Sequence, residues 1–314
     1  MVLSPARPLR SSIDSPKAAH LVTLLTDFGL QDTYVGVMKG VMLAIDPRLS
    51  FVDLTHGVPP QQVTSGSFHL AEVHGYFPIG TVHLAVVDPG VGTMRRAIAV
   101  ATERGWLVGP DNGLLSGVLA QWPPRMAVEL VNPNYWRTPE PSQTFHGRDI
   151  FAPVAAHLAR GVPLVALGNP IDPQSLTMLP HHRLLQHKLP HQQPGAPVPS
   201  ATPEDGSPTS ALAPVEDAEF PSLWVRQGLI QHIDRFGNLI TTIPASALPD
   251  RPWVVQLEHL QVPAVQTYDQ GVPGQLLALV GSQGWVEVAI RGGSAHQVLG
   301  ARVGQVVQVR EPIA

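Results

Sequence analysis

Between Pro190 and Pro221 the chain carries eight prolines among Ser, Ala, Glu and Gly, with almost no bulky apolar side chains. Such a stretch buries too little apolar surface to offset the entropy of ordering it, and proline removes backbone donors from helix and sheet interiors. The 314 residues are therefore not expected to form one continuous core. The expected organisation is a disordered leader over 1–19, a domain over 20–188, a flexible linker or insertion over 189–222 and a smaller domain over 223–314.

The two sides of this segment differ in periodicity. LVTLL, LSFVDLTH, TVHLAVVDPG, RAIAVAT and GWLVGPDNG are short apolar runs bounded by turn residues, and read as strands. Val35, Met38, Val41, Met42 and Ile45 recur at helical spacing before Pro47, and further helical segments fall near 65–74, 112–121 and 149–160. This alternation predicts an α/β N-terminal domain with a mainly parallel sheet. After Leu223, runs such as LITTI, LLALVG and WVEVAI with frequent glycine and no long helix predict an all-β barrel.

Composition excludes several functions. A formal charge of −4 and pI near 6.4 give no basic footprint, which argues against nucleic acid as the main partner. There is no cysteine, hence no thiolate nucleophile or disulfide, and the fourteen histidines form no metal-ligand motif such as HExxH. No metal is expected. No run of 18 apolar residues and no signal-like h-region occurs, so a soluble, cytoplasmic protein is expected. Only 14% of residues are charged, against roughly 25% in ordinary soluble domains, and the neutral surface this leaves suggests self-association.

Carboxylates stand where ligands bind in α/β sheets, just past the strands. Asp27 follows LVTLLT and Asp32 lies five residues on; Asp27 suits a sugar diol or a cation, and Asp32 equally suits a helix cap. VVDPGVGTMRR places Asp88 at a strand end with Arg95 seven residues later, either a site or a turn with solvated arginines. His146 in QTFHGRDIF, Asn112 in GPDNGLL, and Asp234, Phe236 and Asn238 in IDRFGN each have a structural alternative: a helix start, a cap and a hairpin turn. No GxGxxG loop for a dinucleotide is present.

Taken in order, TDFGLQDTYVGVMKG, VDLTHGVPP, VVDPGVGTMRR, GPDNGLL, TFHGRDIF and IDRFGN resemble the S-adenosyl-L-methionine (SAM) hydroxide adenosyltransferase family, relatives of fluorinase and chlorinase. The resemblance covers residues 21–182 and 223–309 and implies hydrolysis of SAM to adenosine and L-methionine without a cofactor. It also implies a homotrimer with each site between adjacent subunits. The family's catalytic Asp, Arg and His correspond to Asp88, Arg95 and His146, and its ribose-binding acid to Asp27. Asp32, Tyr34, Asp234 and Ser282 correspond to residues around the methionine moiety, and Phe236, Asn238 and the Arg291–Gly292 backbone to those near adenine. Asn112 joins the substrate-binding set. Halogenating relatives carry a tyrosine where Asp88 stands and a Tyr-Ser pair at His146–Gly147, so this chain resembles the water-using branch. Relatives usually have Asn near Arg291 and often a small polar residue at Gln283. The alternatives are a SAM- or adenosine-binding module without turnover and a halide-using adenosyltransferase; a methyltransferase is opposed by the missing Gly-rich loop.

Overall fold

The computed structural model describes residues 19–180 and 224–312. The expected leader up to residue 18 and the whole 189–222 segment lie outside the described residues. The chain separates into two compact units, each with its own sheet.

The N-terminal unit contains β1 (Leu21–Thr26), α1 (Tyr34–Ile45), β2 (Ser50–Thr55), α2 (Val63–His74), β3 (Thr81–Val86), β4 (Ala97–Ala101), β5 (Gly105–Pro110), α3 (Ser116–Gln121), β6 (Met126–Glu129), α4 (Ala152–Ala159) and β7 (Asn169–Ile171). Their order in the sheet is β2-β1-β3-β5-β4-β6-β7. β2, β1, β3 and β5 are parallel neighbours, as the alternation of strands and helices predicts. The pairings of β4 with β5 and β6, and of β6 with β7, are antiparallel. The cause for β4–β5 is the tight Thr102–Arg104 turn, closed by Thr102 N–H to the Gly105 carbonyl at 2.9 Å, because so short a connection reverses the chain.

Both faces of the sheet are covered. Val22, Leu24, Val82, Leu84 and Val86 pack with Met38 and Met42 of α1 and with Val154 and Ala155 of α4. Leu25, Ala85 and Val87 point the other way, against Leu70 of α2 and Val118 and Leu119 of α3. This period-2 alternation within continuously apolar runs is what a strand buried on both sides requires. Each fully buried Leu or Val contributes about 1.5–3 kcal/mol relative to exposure.

The C-terminal unit contains β8 (Val225–Ile233), β9 (Leu239–Pro244), β10 (Val254–Leu257), β11 (Leu260–Pro263), β12 (Leu276–Val280), β13 (Trp285–Ile290), α5 (Ala295–Leu299) and β14 (Val306–Arg310). The named strands pair antiparallel in the order β11-β10-β14-β8-β9-β13-β12. A bridge between Ala264, just past β11, and Ala278 of β12 brings the two edges together, so the sheet is nearly barrel-shaped. Val255, Val286, Val288, Val307 and Val309 fill its interior.

Candidate active site

After β1 the chain crosses to β2 on one side, and β3 then returns on the other side of β1. The strand order thus reverses at the carboxyl ends of β1 and β3, where open α/β sheets form a ligand crevice. Thr26 pairs with Val86 across this point, so Asp27 and Asp88 flank it, one residue and two residues past the paired positions.

Asp88 is gripped by a fork. Arg95 Nε donates to Oδ1 at 2.9 Å and Arg95 Nη2 to Oδ2 at 2.5 Å. The same Nη2 lies 2.7 Å from His146 Nδ1. Guanidinium nitrogens only donate, so Nδ1 is the acceptor and the neutral ring carries its hydrogen on Nε2. Burial, then the Arg95 charge, lowers the His146 pKa below the usual imidazole value, against an opposing pull from Asp88 and Asp149. The Arg95 and Asp88 side chains are only 9% and 6% exposed, and the Arg95 guanidinium carbon lies 5.2 Å from the centroid of the buried Phe151 ring. Asp88, Arg95 and His146 thus form one contiguous set.

Two local devices hold it. Gly92 has φ +76°, and a Cβ there would stand 2.4 Å from the Gln143 carbonyl oxygen, so glycine alone lets the PGVG turn close onto the loop that presents His146. His146 itself leads into a π-helical turn, Gly147–Phe151, ahead of α4. Asp149 in that turn is fully buried and receives Arg137 Nε at 2.6 Å, Arg148 Nε at 2.7 Å and Ser142 N–H at 2.9 Å. Burial raises its pKa, but these bonds outweigh burial and hold the carboxyl well below the usual range.

Asn112 does not cap α3, whose N-cap is Leu115. Its amide donates to the Val87 carbonyl at 2.9 Å and accepts from Leu114 N–H at 3.1 Å, tying the end of the Asp88 strand to the loop after β5. Asp27 accepts from Gln61 N–H at 2.8 Å. Asp32 does not cap α1 either, because the N-cap is Thr33; it is exposed and lines an open cleft with Lys39 and Asp53. Tyr34 joins Phe28 and Phe145 in an aromatic trio with centroid separations of 5.1–5.8 Å. Sequence reasoning missed Phe28 and Phe145, although each adjoins a residue it selected, Asp27 and His146.

In the C-terminal unit, Asp234, Phe236 and Asn238 share the β8–β9 turn. Asp234 Oδ1 accepts from Phe236 N–H and Asn238 N–H at 2.9 and 2.8 Å, and Oδ2 accepts from the Asn238 amide at 2.9 Å. Asn238 is buried and the Phe236 ring is 77% exposed. Ser282 is exposed in the β12–β13 turn, next to Gly281, which abuts the buried Glu287 carboxylate. Glu287 accepts from Tyr268 Oη at 2.8 Å; burial, and then the nearby Asp234 charge, raise its pKa despite that bond. This acid in the middle of the apolar run WVEVAI is a second group that sequence reasoning missed. Among the described residues no three His, Asp or Glu side chains are grouped as metal ligands, and no helix is long and apolar enough to cross a membrane.

The family model for the SAM hydroxide adenosyltransferase N-terminal domain matches residues 22–168, and that for its C-terminal domain residues 228–308. A protein of Salinispora tropica named (R)-S-adenosyl-L-methionine hydrolase is 40% identical over 290 residues, spanning 92% of this chain and 97% of that protein. A fluorinase of Actinoplanes sp. is 29% identical over 175 residues, 48% of this chain and 58% of that protein. A crystal structure of an uncharacterized conserved protein from Thermotoga maritima superposes with a TM-score of 0.71 at 32% identity, covering 92% of this chain and 99% of the other.

Proposed function

As a member of the SAM hydroxide adenosyltransferase family, to which the chain belongs, the protein is a SAM hydrolase, and we propose that Asp88, Arg95 and His146 direct its water. The water oxygen attacks C5′ in line with the departing sulfur. The C5′–S bond breaks with its electron pair going to sulfur, so L-methionine leaves as a neutral thioether and needs no general acid. No electrons are gained or lost overall, and the reading includes no metal or redox cofactor.

The observation that carries this reading is the sharing of Arg95 between Asp88 and His146. Arg95 fixes the Asp88 carboxylate in direction while leaving it lone pairs to accept the water's proton, a role worth typically 10²–10⁴-fold in rate. It also fixes the tautomer that makes His146 Nε2–H a donor toward the water oxygen. A hydroxide-like oxygen meeting a sulfonium cancels charge, and exclusion of bulk water favours that step. Asp27 accepts from the ribose hydroxyls; Asp32, Tyr34, Asp234 and Ser282 surround the methionine moiety; Phe236 and Asn238 meet adenine. Asn112 is placed with the substrate-binding residues, and its bond to the Val87 carbonyl sets it beside the Asp88 strand end. The aromatic trio at Tyr34 suits a sulfonium, since cations are attracted to ring faces.

A homotrimer in the cytoplasm, with sites completed by the neighbouring subunit, is part of this reading. The self-association in it is supported by exposed apolar side chains on and around α1, where Leu30 is 78% exposed and Tyr34, Val37, Leu43 and Val52 are also exposed. Turnover in oxygen-18 water tests the chemistry: the label belongs on the 5′ hydroxyl of adenosine. Unlabelled adenosine, or a chloride-dependent chlorinated nucleoside in its place, overturns attack by water.

A further inference from the structure

The segment 53–61 grips the turn that follows β1. Thr26 Oγ1 lies 2.8 Å from His56 Nδ1 and also accepts from Phe28 N–H at 3.2 Å. The His56 carbonyl accepts from Gly29 N–H at 2.8 Å, and Gln61 N–H reaches Asp27 Oδ2. Gln61, whose N–H makes that bond, is held at a φ of +65°, a conformation that non-glycine residues seldom adopt. His56 is 4% exposed and belongs neither to the triad nor to the expected ligand set.

Its ring is itself oriented. Nε2 lies 3.1 Å from Asp53 Oδ1, within ion-pair reach although the ring N–H is not aimed squarely at it. Asp53 Oδ2 in turn receives Lys39 Nζ at 2.7 Å. Burial opposes the Asp53 charge, but Lys39 and His56 outweigh burial and keep the carboxyl below its usual range. Thr26 Oγ1 already accepts from Phe28 N–H, so its own hydroxyl hydrogen is free to be given to Nδ1 of a neutral ring that carries its hydrogen on Nε2, beside Asp53. The pairing of β1 with β2 shifts between Leu24 and Leu25, so that Asp53 faces Leu24 while Thr55 faces Leu25. This irregularity lies just ahead of His56 and Thr26.

We infer that His56, oriented by Asp53, is a positioning residue that fixes Thr26 and through it the aim of the Asp27 carboxylate at the ribose diol. This rests on the reading of Asp27 as the ribose acceptor, and the test separates the two. Calorimetry on the full-length protein compares adenosine with 2′,3′-dideoxyadenosine. His56→Ala, and the similarly shaped Thr26→Val, each compared after its melting temperature shows it folded, lower the preference for adenosine by about tenfold or more, the scale of one charged hydrogen bond. His56→Asn, whose amide oxygen can take the place of Nδ1, restores most of it. Asp27→Asn produces the same loss, and adding His56→Ala to it changes nothing further, because both act on one contact. If Asp27→Asn leaves the preference intact, the ribose reading falls and the inference with it. Should Asp27→Asn abolish the preference while Thr26→Val and His56→Ala keep it, or should their effects add, His56 does not act through Asp27.

Discussion

Replacing Arg95 with lysine keeps the positive charge but removes the fork, which makes it the sharpest probe of the triad. Arg95 reaches Asp88 Oδ1, Asp88 Oδ2 and His146 Nδ1 at 2.9, 2.5 and 2.7 Å. A lysine ammonium is a single point on a flexible stem and cannot reproduce a planar, bidentate grip while also reaching a third acceptor. At least one bond to a charged partner is lost, a cost of about 1.5–3 kcal/mol, so turnover should fall roughly 10- to 100-fold. The loss belongs in kcat, since the triad is assigned to the water and other residues to the substrate. Initial rates of adenosine release, measured by chromatography over a range of SAM concentrations, separate kcat from KM. A lysine variant that melts like the wild type and keeps kcat within about threefold would refute the argument that fork geometry, rather than positive charge, organises Asp88 and His146.

Gly92→Ala adds a methyl group 2.4 Å from the Gln143 carbonyl oxygen at a residue with φ +76°, so the PGVG turn and the His146 loop must separate. Displacements near 1 Å can cost about 10²-fold in rate, so kcat should drop by tenfold or more; unchanged kcat in Gly92→Ala would show that the joint is slack. Acid should weaken the N-terminal unit through His74 and His83, buried rings whose centroids are 4.5 Å apart. Burial lowers the His74 pKa to about 4 and that of His83 well below the usual value. The folded state keeps these rings neutral while the unfolded chain takes up protons below about pH 6.5, so their contribution is complete above that pH and is lost as pH falls toward 4. For His74 alone the loss is on the order of 3 kcal/mol. Denaturant midpoints measured from pH 7 to pH 4 should fall, and His74→Phe should flatten the slope; superimposable curves for the two proteins would contradict this.

Local pattern and long-range pairing contribute differently to this protein. Runs such as TVHLAVV and the spacing of Met38 and Met42 report burial on the strand and helix periods, which depend only on neighbours in sequence, so the α/β character of one unit and the β character of the other were legible. Motif order carried the site, because Asp27 and Asp88 each stand just beyond an apolar strand. Asp32, as readily a helix cap as a ligand group by sequence, and Asn112, for which a cap is the safer reading of the residue alone, cap neither α1 nor α3 once the helix starts are known.

The rest waited for tertiary structure. Arg95 and His146 are 51 residues apart, and their 2.7 Å contact, with the tautomer it imposes, exists only because Gly92 lets two loops close on each other. The trio of Phe28, Tyr34 and Phe145, and the bond from His56 to Thr26, likewise join segments that no local period relates. Sequence determined which residues could act and at which strand ends they stand. The strand order, and the long-range contacts that it brings to one end of the sheet, decided which of them meet and in which protonation state they do so.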